Sequence, residues 1–181
     1  MGLALYAYNN LKKLDVVFDS YGEPIDPFTR SEIDGEYIQV YISHYFPTQA
    51  DGLVDRGVYS YGSKMNGWSG AYSAYSRWRE TLAKFAGYTP VLHEFIPGCK
   101  ASERLSYQVG AFEDESGPFY ELICFSDCDG VIGAKTSAKL AKDFALYEDK
   151  AKQVDEVFYS AYDKIRKCFE FASEDGVVCF L

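Results

Sequence analysis

Basic residues are missing from long parts of this chain. Arg30 is the only Lys or Arg between residues 15 and 55, and none lies between 105 and 134. The first stretch carries nine acids (Asp15, Asp19, Glu23, Asp26, Glu32, Asp34, Glu36, Asp51, Asp55) and the second six, within a net charge of −9. A surface of that sign repels phosphate backbones, so binding to double-stranded nucleic acid is not expected. Histidine is scarce too. His44 and His93 are the only two, and no Gly-x-Ser-x-Gly elbow supports a catalytic triad around either. The five cysteines include no Cys-x-x-Cys pair, and their odd number suits no disulfide framework. No apolar run reaches the roughly 18 residues that cross a bilayer. The first residues lack the basic-then-apolar order of a secretory signal, and Tyr6 replaces the Ser or Thr of a myristoylation site. These absences lead to the expectation of one cytoplasmic domain, 1–181, without membrane, metal or cofactor.

Gly and Pro are absent from residues 134–175, and there the strongest pattern lies. Leu140, Phe144, Tyr147, Ala151, Val154, Phe158, Ala161, Ile165, Cys168 and Ala172 alternate spacings of four and three. That period puts one stripe on a helix, with Thr136 or Ser137 as cap and Gly176 as stop. A single rod over 136–172 would span roughly 55 Å, against a body of roughly 40 Å for a chain this long. The helix must overhang or break, and residues 147–151 are the expected place. A stripe of this kind packs on a sheet, or forms a seam with a second copy, which would make a homodimer.

A second helix is expected over 69–86, with Tyr72, Tyr75, Trp78, Leu82 and Phe85 three or four apart and Gly87 as stop. Its other face is read as carrying Arg77, Arg79 and Lys84. Strands are expected at 3–8, 14–18, 37–46 and 56–61, then 91–96, 106–112 and 119–125, and last 177–180. The strands at 106–112 and 119–125 are expected to form a hairpin. The segment 62–70, rich in Gly and Ser, reads as a loop. The fold class is α+β: a mostly antiparallel sheet with the Tyr/Trp-rich helix and the long C-terminal helix on one face.

Two segments carry candidate chemistry. Phe125-Ser126-Asp127-Cys128-Asp129-Gly130-Val131-Ile132 resembles the first motif of haloacid-dehalogenase-type phosphotransferases, whose two Asp act as nucleophile and acid/base. Only 52 residues follow Asp129, most of them in one helix, so that family's later strands and acidic pair are missing. Asp127 and Asp129 then read as turn-formers, with Gly130 and Gly133 allowing positive φ. An EF-hand loop fails as well, with Phe125 and Thr136 at its first and last positions. The second segment, Ser63–Arg79, is dominated by Tyr, Trp, Arg, Ser and Gly, the residues that dominate binding hot spots. Tyr72, Tyr75, Arg77, Trp78 and Arg79 are its candidate binding residues, beside Asp127 and Asp129.

Residues 73–79, 125–133 and 138–144 together resemble small proteins of bacteria and their phages that share a Phe-Ser-Asp-Cys-Asp/Glu-Gly-x-Ile-Gly motif followed by a helix. The resemblance brings no activity and no catalytic residue. It implies a cytosolic accessory product. The expected function is a non-catalytic protein of inhibitor or immunity type, whose acids attract a basic protein partner. The alternative is a small-molecule enzyme or sensor, its site between the Asp127–Gly133 turn and the Tyr72–Arg79 helix.

Overall fold

The computed structural model describes residues 2–125 and 130–181. Strands β1 (Gly2–Asn9), β2 (Lys12–Lys13), β3 (Val17–Phe18), β4 (Pro24–Ile25), β5 (Tyr37–Gln39), β6 (Val58–Ser60) and β7 (Ser63–Ala71) precede helix α1 (Tyr72–Ala86). After it come β8 (Val91–Glu94), β9 (Glu103–Ser106), α2 (Tyr107–Asp114) and α3 (Tyr120–Cys124). The chain ends with β10 (Gly130–Gly133), α4 (Ala134–Ala151), α5 (Glu156–Ala172) and β11 (Val177–Phe180). The class is α+β. Its main sheet has the order β10-β11-β1-β7, every pair antiparallel.

Alternation in β1 explains why that sheet is sandwiched. Leu3, Leu5 and Ala7 join Ile132, Val178 and Phe180 in the core beneath the helices. Tyr6 and Tyr8 join Val131, Val177 and Cys179 on the opposite face. Ile38, Val40 and Ile42 cover that second face, together with Tyr59 of the small β2-β6-β5 sheet. A period of two therefore feeds two cores from one strand.

The long helical stripe does break. α4 runs through the expected interval to its last residue, Ala151, so the break falls just after it, and α5 begins after Asp155. The Asp155 side chain caps α5 by accepting from the Phe158 amide at 2.7 Å. Val154, the stripe residue left in the connection, is 39% exposed. Elsewhere the stripe is buried or half-buried, α4 against α5 and both against the sheet. Phe144 lies 4.7 Å from the Tyr162 ring, edge to face, and the Tyr162 hydroxyl donates to the Phe144 carbonyl at 2.6 Å. The stripe that the sequence offers to a second copy is thus used within the chain. Helix α4 also starts earlier than expected, at Ala134. Its Thr136 amide and hydroxyl donate to Asp51 at 2.7 and 3.2 Å, and Ser137 is buried rather than capping.

Four local expectations are overturned or cut short. Residues 62–70 are not a loop but most of β7, paired along β1. Gly67 is there because a Cβ would run into Cys168 Sγ of α5, so its glycine marks close packing. Residues 106–112 and 119–125 form helices, not a hairpin. The first amides of α2 are capped from a distance: Glu80 accepts from Tyr107 N at 2.7 Å and Gln108 N at 3.1 Å. Phe119, at φ 58, turns the chain into α3 and donates its amide to Asp143 at 2.8 Å. The strand expected at 37–46 is regular only over β5. Gly130 and Gly133 belong to β10 and neither has positive φ. At Gly133 a Cβ would stand 2.6 Å from the Ala50 carbonyl oxygen.

Candidate functional site

Helix α1 continues directly from β7 and presents Tyr75, Trp78, Arg79, Leu82, Ala83 and Phe85 inward. Arg79 is four residues beyond Tyr75 and three before Leu82, so it falls on the apolar stripe. It is 8% exposed, not part of a polar face with Arg77 and Lys84. Its Nη1 donates to the carbonyls of Ile123 and Phe125 at 3.1 and 2.8 Å, which secures the end of α3. The guanidinium carbon stands 4.9 Å from the Tyr75 ring centroid, a cation–π arrangement. Among the described residues no ion pair includes Arg79, and its Nε has no acceptor.

The expected hot-spot residues separate into two places. Tyr75 and Arg79 are in the interior, and Tyr72 is half-buried against the same core. Arg77 and Trp78 instead line a groove of about 780 Å³ between α1 and α5, with Trp68, Val157 and Lys164. There Trp78 stacks on Phe158 at 6.0 Å, and its indole N–H donates to the Phe158 carbonyl at 3.4 Å. Asp127 and Asp129 lie outside the described residues. Arg79 nevertheless binds the carbonyl of Phe125, immediately before them.

Beneath the other side of Arg79 lies a second opening of about 440 Å³. Its walls include Phe46, Phe95, Val109, Phe112 and Cys124. Burial pushes the Cys124 thiol up to about 12, so it stands there as a neutral wall group. The composition of Ser63–Arg79 does not point to this opening. Spacing could have found it, because a charged residue on an apolar stripe needs an explanation.

The acidic N-terminal stretch contains the other distinctive geometry. Of its nine acids, Asp15, Glu23, Glu32, Asp34, Glu36 and Asp55 are exposed. Asp19, Asp26 and Asp51 are half-buried and serve as local or long-range caps. Asp19 Oδ1 accepts from the amides of Tyr21 and Glu23 at 2.8 and 2.9 Å. Asp26 Oδ1 accepts from Phe28 and Thr29 at 2.8 and 2.7 Å. The Thr29 and Phe28 amides hold the Asp26 carboxyl below its ordinary range. Each turn displays one ring, Tyr21 at 90% and Phe28 at 88% exposure. Among the described residues, none of the nine acids takes part in a salt bridge. Two of the exposed six are also engaged, Asp55 accepting from the Ile42 amide and Glu36 from the Tyr61 hydroxyl, each at 2.9 Å, so the free set is Asp15, Glu23, Glu32 and Asp34.

No group of three or more His, Cys, Asp or Glu that could hold a metal ion occurs among the described residues. No described helix is long and apolar enough to cross a membrane. Compared with protein-family models, with curated proteins and with solved structures, the chain matches none significantly.

Proposed function

We propose that this is a non-catalytic binding protein whose face at residues 15–36 and 55 receives a basic protein partner. One observation carries the reading: two exposed rings, Tyr21 and Phe28, are held on hydrogen-bonded turns among acids that have no cation of their own. An exposed ring normally costs solubility, and an ordered one is pre-positioned for contact. The acids steer a basic partner in, and the rings meet its Arg or Lys side chains by stacking and cation–π contact. Inhibitor and immunity proteins work in this way when their target has a basic surface. The four described cysteines are free thiols, which supports a reducing compartment such as the cytoplasm.

Affinity capture with the wild type beside a Tyr21→Ala/Phe28→Ala variant tests the reading. A captured protein should be basic, should elute as salt is raised, and should be missing from the variant's capture. A partner retained equally by the variant, or unaffected by salt, would place recognition elsewhere.

A further inference from the structure

The opening beneath Arg79 is a site of another kind. A buried cation normally has a carboxylate partner, because removing a lone charge from water is costly. Among the described residues Arg79 has two carbonyls and a ring instead, and its Nε has no acceptor. The nearest candidate on its own helix, Glu80, is committed elsewhere: its carboxylate accepts from Ser106 Oγ and from the Tyr107 and Gln108 amides. The other polar groups lining the opening include Ser106 and Gln108, which are uncharged, and Cys124, a neutral thiol. Among the described residues, the positive charge of Arg79 thus has no carboxylate partner.

The walls are apolar and open to water at the mouth. Phe95 is 42% exposed, Phe112 is 49% exposed, and Phe46 stands 6.1 Å from the Phe112 ring. Arg104 stands 3.9 Å over the ring of Phe95, one of the wall residues. A volume of about 440 Å³ is that of a small-molecule site, mostly apolar with one oriented polar anchor. The chain's net charge of −9 works against multiply charged anions. A ligand with one negative group and a large apolar body meets both conditions.

We propose that this opening binds a small amphipathic carboxylate, its acid group on Arg79 and its apolar body against Phe46, Val109 and Phe112. The carboxylate would supply the counter-ion that no described residue gives, and the rings would exclude water from the pair. The site is separate from the acidic face and does not depend on it.

Octanoate and naphthoate are suitable probes, each beside its neutral analogue, octanol and naphthalenemethanol. Calorimetry and thermal unfolding on the whole chain should show saturable binding of at least one carboxylate. Its alcohol should bind about tenfold more weakly or worse, the usual scale for losing a bond to a charged group. Val109→Trp should fill the opening and abolish binding without changing the circular dichroism, since it leaves the Arg79–carbonyl bonds alone. Arg79→Gln, if it folds, should bind acid and alcohol alike. The proposal is overturned if neither carboxylate binds, if an alcohol binds as well as its acid, or if Val109→Trp binds unchanged.

Discussion

Two regions of this molecule use charge in opposite ways. Every ion pair among the described residues lies between Glu121 and Glu170, on α3, α4 and α5 or the turn after α4. Lys139 bridges Glu121 and Asp143 there, and Arg166 and Lys167 share Asp163. Residues 15–55 have nine acids and no such pair. In the helical layer charges are placed three and four apart, so the fold itself satisfies them. In the N-terminal layer the carboxylates either accept from amides or face water. The first region uses its side chains to hold itself together, and the second leaves Asp15, Glu23, Glu32 and Asp34 without a hydrogen-bond partner among the described residues.

The largest effect that separates the regions should come from the helical core. Phe144→Ala removes a fully buried ring packed on Phe119, Tyr162 and Phe169, and should cost about 3–5 kcal/mol in urea unfolding. A loss below about 1 kcal/mol, the range of a surface change, would mean that α4 and α5 are not packed as described. Asp51 breaks the comparison from the other side. It belongs to the acidic stretch but caps α4, so Asp51→Ala should cost about 1 kcal/mol, while Asp34→Ala costs nearly nothing.

Acid should act on the helical layer through Asp163. The bond from Lys167, followed by that from Arg166, holds the Asp163 carboxyl below its ordinary range. The unfolded chain therefore takes up that proton first, and stability falls as pH drops below about 4 toward the folded value. Asp163→Asn should lose about 0–1 kcal/mol at neutral pH. Its unfolding curve should converge with the wild type's once pH has fallen below the folded value, where the carboxylate is protonated in both states. A constant offset across that range would show that Asp163 acts through packing.

The smallest change in stability should follow neutralisation of the free acids. Glu23→Gln/Glu32→Gln/Asp34→Asn should unfold within about 0.5 kcal/mol of the wild type. These three are exposed and unpaired, whereas Glu36 accepts from the Tyr61 hydroxyl at 2.9 Å.

Legibility in the sequence followed the reach of the forces involved. Periodic burial is local, so β1, α1, the α4–α5 stripe and β11 could all be read from spacing. The break in the stripe was required by length, but its place depended on Asp155 as a cap, a signal present in the sequence and passed over. Helices α2 and α3 are only partly legible locally, where Ser106 caps α2 by accepting from the Val109 amide at 3.3 Å. Glu80 and Asp143 supply their first amides with acceptors from distant elements. Glycine misled in β7 and β10, because Gly67 and Gly133 serve close approach, which looks like a loop signal when the opposing atoms are unknown. At the candidate site the Tyr, Trp and Arg composition marked the right helix but not its faces. Arg79 was read as a surface group although its spacing from Tyr75 and Leu82 places it inside.

Two matched triple variants test the central claim most directly. Glu23→Gln/Glu32→Gln/Asp34→Asn and Glu113→Gln/Asp114→Asn/Glu115→Gln change the net charge equally, and all six residues are exposed. An arginine-rich peptide, titrated into each at low salt, reads the local face separately from the overall charge. The account predicts about tenfold weaker binding for the first triple and a change within about twofold for the second, with Phe28→Ala weakening the peptide further. Equal loss from both triples, with no effect of Phe28→Ala, would show that residues 15–55 contribute bulk charge and no docking face.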